Sequence, residues 1–263
     1  MRLYPAVARL SFRRVLAYKS GAAAGVFTNT VFGFIRAYVL LALWSQKPEI
    51  GGYDSADAVT YVFLAQALVT PLGLFAGNTE LGPRIRTGEV GVDLYRPCDF
   101  QGYWFAIEAG RAAGQVVLRS LPPIVVASFF FRLSLPTAPL PWLQFAVSTL
   151  LALVVSFAVR YLVSVSAFWT MDERGMASVL MVVSLFFSGF IVPITIMPGW
   201  LAALANALPW SVTVQLPVNI LLGVNPNGFA EALARQLAWA VGLLVVGRMA
   251  TAAARHKVVV QGG

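Results

Sequence analysis

The chain has 263 residues, of which 59% are hydrophobic and 11% charged, with a formal net charge of +8. Soluble domains carry about 25% charged residues, and no core of this size could absorb so much apolar surface. The composition therefore excludes an ordinary soluble domain and predicts an all-α integral membrane protein, since each spanning helix uses roughly 20 residues. We interpret the positive charge as membrane topology and expect no nucleic-acid partner, because Lys and Arg concentrate in cytoplasmic loops.

Cysteine and histidine are almost absent. Cys98 is the single cysteine, so no internal disulfide can form, and His256 is the single histidine. A metal site built on these residue types is therefore not expected. Basic residues are spread over the whole N-terminal segment rather than clustered before an apolar run, so we expect no cleavable signal peptide.

Residues 2–19 are predicted to form an amphipathic helix at the membrane surface. Apolar side chains recur there at steps of three and four, and most of the cations lie off that stripe. The predicted stripe comprises Leu3, Val7, Leu10, Arg14 and Tyr18.

Six apolar segments follow and are predicted to span the bilayer. They cover residues 21–44, 58–77, 103–131, 142–169, 176–197 and 233–253. Pro71 is expected to kink the second span, and Pro122 and Pro123 to break the third. Residues 198–230 are apolar but interrupted by prolines, and we expect short re-entrant helices buried in the outer half of the bundle.

The distribution of Lys and Arg predicts the orientation. They are concentrated in the N-terminal helix, in residues 78–102, in the 171–175 hairpin and in the tail. Both termini are therefore expected to be cytoplasmic, which requires an even number of spans and suits a multi-pass protein of the plasma membrane.

No known nucleotide-binding or catalytic motif is present. The sequence lacks G-x-x-x-x-G-K-[ST] and does not contain even one Gly-Lys pair. It also lacks a nucleophile elbow, an HExxH motif and kinase motifs. We therefore expect no catalytic residue and no ATPase activity in this chain.

The longest polar stretch is residues 78–102, which mixes charged and apolar side chains. It is either a solvated connector or a cytoplasmic docking helix for a partner protein. Its pattern Ile85-x-Thr-Gly88-Glu89-x-x-x-x-Leu94-x-Arg96-Pro97 resembles the coupling loop of ABC-2 type permeases, especially the branch first described as an uncharacterised ABC permease family. The resemblance extends over nearly the whole chain, including Gly189-Phe-Ile-Val-Pro193 and Leu208-Pro209-Trp210.

This resemblance implies the permease subunit of an exporter. A second permease, homologous or identical, would complete the path, and two separate ATP-binding subunits would hold ATP and Mg²⁺. The coupling segment 78–102 and the N-terminal helix would contact those subunits. The implied contact residues are Arg84, Arg86, Glu89, Asp93, Tyr95, Arg96, Arg13 and Arg14.

Several polar and aromatic residues within the predicted spans are candidates for a substrate path. Charged residues at membrane depth usually face the bundle interior or water. The candidates are Asn29, Arg36, Gln66, Arg119, Phe186 and Phe187. The alternatives are an internal ion pair or snorkelling for Arg36, packing for the phenylalanines, and a structural salt bridge for Glu108 with Arg111. The substrate class expected by analogy is amphipathic or drug-like.

Two other functions remain open from the sequence. A membrane scaffold or assembly protein would show the same composition without a transport path. An intramembrane enzyme is disfavoured, because no paired Asp, Ser–Lys or His constellation occurs at depth.

Overall fold

The structure is a computed structural model that describes residues 3–46, 50–75, 80–225 and 227–254. The described chain is helical apart from turns and short loops, and the all-helical class is confirmed. Its helices are α1 (Leu3–Ala17), α2 (Lys19–Trp44), α3 (Ser55–Val69), α4 (Leu81–Arg86), α5 (Val90–Leu94), α6 (Phe100–Gln115), a π-helical turn (Val116–Ser120), α7 (Leu121–Phe130), α8 (Pro139–Thr170), α9 (Arg174–Phe187), a 3₁₀ turn (Ile194–Ile196), α10 (Gly199–Asn206), α11 (Gln215–Leu222) and α12 (Gly228–Ala254).

Four helices of the described chain are long and apolar enough to cross a membrane. They are Gly21–Trp44, Phe100–Phe130, Pro139–Thr170 and Gly228–Ala254. The apolar helices α3 and α9 have only 15 and 14 residues. The expected count of six spans therefore stays a prediction.

Helix α8 is the centre of the packing. It contacts α4, α6, α9, α11 and α12, and it contributes to all three apolar clusters of the interior. With 32 residues it is roughly 48 Å long at 1.5 Å per residue. Its length lets one rigid helix join the region around α4 to the region around α11.

Helix α3 is the most enclosed element, because every residue from Ala58 to Val69 is buried. Its N-terminus is closed by a capping box in which Asp54 and Asp57 exchange hydrogen bonds with each other's backbone N–H. A helix surrounded by protein need not match the thickness of the bilayer. The 15 residues of α3 are therefore enough for a helix enclosed by protein, although the predicted second span was longer.

Two predicted spans end earlier than expected. Helix α3 ends at Val69, so Pro71 follows the helix and does not kink it. Helix α9 ends at Phe187, whereas the predicted fifth span continued to residue 197. Gly189 then adopts φ +83°, a left-handed conformation that ends a helix.

The predicted break in the third span is wrong, because the helix runs without interruption from Phe100 to Phe130. The N–H of Leu121 donates to the carbonyl of Val116, five residues earlier, in the π-helical turn before Pro122 and Pro123. The wider turn lets the helix continue although two prolines lack backbone donors.

The prediction for the outer segment is right in one part and wrong in another. Short helices are present, and α11 is buried from Gln215 to Leu221. Helix α10, however, is not buried: Trp200 is 73% exposed. Pro226 lies outside the described residues.

The apolar stripe predicted for the N-terminal helix is not the face that packs on α6, and its place at the membrane surface stays a prediction. Leu3, Leu10 and Tyr18 are exposed, and the face that contacts α6 contains Tyr4, Ala8, Ser11 and Val15. These are mainly small or polar side chains, so hydrophobic periodicity alone could not identify the packed face.

Candidate functional site

Helices α4 and α5 form a compact helical pair held by ion pairs. The buried carboxylate of Asp93 accepts two hydrogen bonds from Arg84, at 2.7 and 3.2 Å. It also pairs with Arg96 at 3.2 Å, and Arg84 pairs with Glu89 at 3.2 Å. The hydrogen bond to Asp93 raises the pKa of Arg84. Four of the predicted coupling residues therefore form ion pairs with one another and stabilise the α4–α5 pair.

The surface of this pair presents a different set of side chains. Tyr95 is 89% exposed and Val92 65% exposed, although both belong to an ordered segment. The Glu89 side chain is also largely exposed. An apolar and an aromatic side chain on a charged background are the usual composition of a protein contact.

The opposite face of the pair is anchored to α8 and to the hairpin after it. Leu81, Ile85 and Val90 are buried among aromatic residues of α6 and α8. A Cβ added to Gly82 would lie 2.2 Å from Glu173 Oε1, so the hairpin touches the α4 backbone. Arg86 lies 4.0 Å from Asp172, and hydrogen bonds from Arg174 lower the pKa of Asp172 to about 2.

Helix α1 lies directly on α6. A Cβ on Gly110 would lie 2.0 Å from the Ala8 carbonyl oxygen, and one on Gly114 would lie 2.8 Å from Val15 Cβ. Ser11 Oγ donates to the Ile107 carbonyl at 2.7 Å. The sequence signal for this contact was Gly110-x-x-x-Gly114, since small residues four apart let helix backbones approach closely.

The two arginines predicted on this helix have different surroundings. Arg14 pairs with Glu80 at 2.6 Å, joining α1 to the start of α4. Arg13 is exposed.

Three predicted path residues form one chain of hydrogen bonds. Arg36 Nη1 donates to Gln66 Oε1 at 3.1 Å, and Gln66 Nε2 donates to Asn29 Oδ1 at 3.3 Å. The Asn29 amide then donates to the carbonyl of Arg119 at 3.4 Å. Arg36 also donates to the Phe190 carbonyl and stacks on the Phe190 ring at 4.3 Å. This polar chain connects α2, α3 and the π-helical turn.

The other predicted path residues lie apart from this chain. The Arg119 guanidinium donates to the Gly21 carbonyl at 2.7 Å, so its side chain points to the start of α2. Phe186 and Phe187 contact each other edge to face, and Phe187 also contacts Trp210. Phe187 therefore lies against the segment before α11.

Glu108 joins two arginines in the interior. Its Oε2 lies 2.8 Å from Arg111 and 3.0 Å from Arg160. Arg111 also donates to the carbonyls of Thr70 and Pro71, at 3.1 and 2.9 Å. These bonds satisfy backbone acceptors just beyond the end of α3. The structural salt bridge expected for Glu108 and Arg111 is confirmed, and Arg160 extends it.

A second buried polar network was not predicted. Gln215 Nε2 donates to Tyr53 Oη and to Asn219 Oδ1, both at 2.8 Å. Its Oε1 accepts from the Ile194 N–H at 2.8 Å and lies 2.7 Å from Tyr61 Oη. The network ties α3 and α11 to the segment after α9. Gln215 and Asn219 stand four residues apart in the apolar run 212–222. This spacing, which puts both amides on one helix face, was the sequence signal for the network.

Within the described residues, no group of three or more His, Cys, Asp or Glu side chains could hold a metal ion. A sequence model of a family described as ABC-2 family transporter protein matches residues 29–260. No curated protein matches the chain.

Proposed function

Because the chain belongs to the ABC-2 family of transporter proteins, we propose that it is the permease subunit of an ATP-driven exporter. The family is a membrane transport component rather than a catalyst, and the chain is a multi-pass membrane protein. In the proposed complex a second permease completes the path, and two separate ATPase subunits bind ATP and Mg²⁺.

The proposed orientation has both termini in the cytoplasm and six spans in the plasma membrane. The four long helices supply four spans, and α3 and α9 complete the count. The basic residues of α1, of residues 80–100 and of the 171–175 hairpin then share the cytoplasmic side. The contacts Arg14–Glu80 and Arg86–Asp172 join these three segments, which supports a common side.

The α4–α5 pair is the proposed docking site for an ATPase subunit. The observation that carries this proposal is the exposure of Tyr95 and Val92 on a pair whose other face is packed against α8. A rigid pair of this kind can transmit a displacement to a 32-residue helix. Glu89 and Arg86 at its border would set the orientation of the partner.

The substrate path is proposed to run beside the polar chain of Arg36, Gln66 and Asn29. Among the described residues, no carboxylate lies within 4.0 Å of Arg36, so its positive charge is not neutralised locally. Together with Phe186 and Phe187, which are partly exposed, this arrangement suits an amphipathic substrate.

Co-purification from the native host tests the docking site. We expect Tyr95→Ala and Glu89→Arg to lower the recovery of a Walker A ATPase about tenfold, because aromatic anchors dominate interfaces. The controls are Trp200→Ala and Glu231→Arg, which change an exposed aromatic and an exposed glutamate on the proposed outer side.

The controls should retain both the ATPase and its ATP hydrolysis. Full ATPase recovery with full hydrolysis in both docking variants would exclude the α4–α5 site. Absence of any Walker A protein from the wild-type preparation would contradict the exporter itself.

A further inference from the structure

A cavity of about 550 Å³ lies between α1, the start of α2, α6 and the π-helical turn. Neither the ATPase docking site nor the proposed substrate path includes it. One wall is the C-terminal half of α1. The cavity is partly open, and the exposed side chains of Arg14 and Glu80 are among those that line it.

The cavity carries an excess of positive charge. Four arginines and two glutamates line it, so two positive charges are not balanced by its own acids: Arg14, Arg111, Arg119, Arg160, Glu80 and Glu108. Glu108 pairs with Arg111 and Arg160, and Glu80 pairs with Arg14. Among the described residues, no salt bridge involves Arg119, which donates to the Gly21 carbonyl.

Two buried polar atoms of the lining have no hydrogen-bond partner within the described chain. They are Arg160 Nε, a donor, and Gln115 Oε1, an acceptor. Only 5% of the Arg160 side chain is exposed. Buried polar atoms are rarely left unpaired in folded proteins. Both atoms are enclosed by protein and do not face the open space of the cavity, so the partly exposed Arg119 is the side chain left to bind a ligand there.

The remaining walls are apolar. Val15, Ile107 and Leu118 line the cavity beside the arginines, so apolar and charged side chains are available to the same ligand. Basic pockets between helices at the membrane surface bind the headgroups of anionic lipids. We propose that this cavity binds the phosphodiester headgroup of an anionic phospholipid, with Arg119 on the phosphate.

Binding is measured by thermal unfolding of the full-length chain in neutral detergent, with any co-purifying subunits retained. The probes are phosphatidylglycerol, phosphatidylcholine and inorganic phosphate. We expect phosphatidylglycerol to raise the Tm saturably, and Arg119→Gln to raise its half-saturating concentration about tenfold, as for a lost charged hydrogen bond.

Gly25→Ala is a second variant, which keeps the charge of Arg119 but displaces its guanidinium group. A Cβ on Gly25 would lie 2.5 Å from Arg119 Nε, so the guanidinium must shift and binding should weaken. The matched controls are Arg13→Gln, an exposed arginine of α1, and Arg132→Gln, an exposed arginine between α7 and α8. Both should bind like wild type.

Three results would overturn the proposal. They are an equal response to phosphatidylcholine, an equal response to inorganic phosphate alone, and an Arg13→Gln loss as large as that of Arg119→Gln. The last result would show that the anionic lipid is attracted to the basic surface of the protein in general and not to the cavity. The measurement needs neither ATP nor an ATPase, so its outcome is separate from that of the exporter proposal.

Discussion

At the scale of single residues, Glu108 balances two buried arginines. Arg160 is 4% exposed, and Arg111 is committed to the carbonyls that follow α3. Removing one member of a buried ion cluster is far more damaging than replacing the whole cluster, because it leaves an uncompensated charge. Glu108 therefore has a structural role that extends beyond the expected pair with Arg111 to the buried Arg160.

We predict that Glu108→Gln lowers the free energy of unfolding by about 3–5 kcal/mol, because two buried arginines lose their counter-ion. Thermal unfolding in detergent measures this. The control is Asp172→Asn, which removes an exposed partner of Arg174 and should leave the Tm nearly unchanged, since exposed ion pairs contribute little. Equal Tm values for the two variants would refute the structural role of Glu108.

Asn29 and Pro123 are coupled through one carbonyl group. Pro123 has no N–H, so the carbonyl of Arg119, four residues earlier, has no helical donor. The Asn29 amide donates to that carbonyl instead, at 3.4 Å. Pro123→Ala would restore a helical donor and make the Asn29 contact dispensable.

We predict that Asn29→Ala destabilises the wild type more than it destabilises the Pro123→Ala background, with a coupling of about 0.5–1.5 kcal/mol. A double-mutant cycle of thermal or denaturant unfolding measures the coupling. The same cycle with Pro122→Ala is the control and should be additive, because that change supplies a donor to Leu118 rather than to Arg119. Additivity in both cycles would contradict the shared carbonyl.

At the scale of elements, α1 depends on glycine rather than on a hydrophobic stripe. Its backbone meets α6 at Gly110 so closely that a Cβ would overlap the Ala8 carbonyl. A helix held in this way is released by a single methyl group. The basic residues of α1 would then leave the docking region together.

We predict that Gly110→Ala detaches α1 and raises the rate of tryptic cleavage after Arg9 and Arg13 several-fold. Gly242→Ala is the control, because a Cβ there meets nothing within 4 Å; it should leave cleavage unchanged and stabilise α12 by up to about 1 kcal/mol. Time-resolved proteolysis with mass detection compares the two. Wild-type cleavage in Gly110→Ala would mean that α1 is held by other contacts.

At the scale of the whole molecule, the proposed orientation can be tested by cysteine labelling in a Cys98→Ser background. Tyr95 and Gln46 are both exposed and lie on opposite proposed sides. We predict that an impermeant maleimide labels Gln46→Cys in intact cells and Tyr95→Cys only after permeabilisation. Labelling of Tyr95→Cys alone in intact cells would reverse the orientation.

The sequence by itself determined the helical membrane class, the family and the existence of short helices after residue 198. The class and the short helices depend on composition, on runs of apolar residues and on proline, which act locally and can be read from neighbouring positions. The family was indicated by the resemblance of the motifs in residues 85–97, 189–193 and 208–210. The Glu108–Arg111 pair was also predictable, because residues three apart lie on one helix face.

Only the tertiary structure decided where α3 and α9 end and what the buried polar groups contact. The end of α3 is followed by carbonyls bound by Arg111, 41 residues away for Thr70, and Gly189 after α9 packs against Tyr61 and Gln215. The same holds for Asp93, which pairs with Arg84 on the preceding helix and so places an expected docking charge inside the α4–α5 pair. Such outcomes depend on which donor reaches a buried acceptor in the folded chain. The spacing of two residues along the sequence does not give their distance in space.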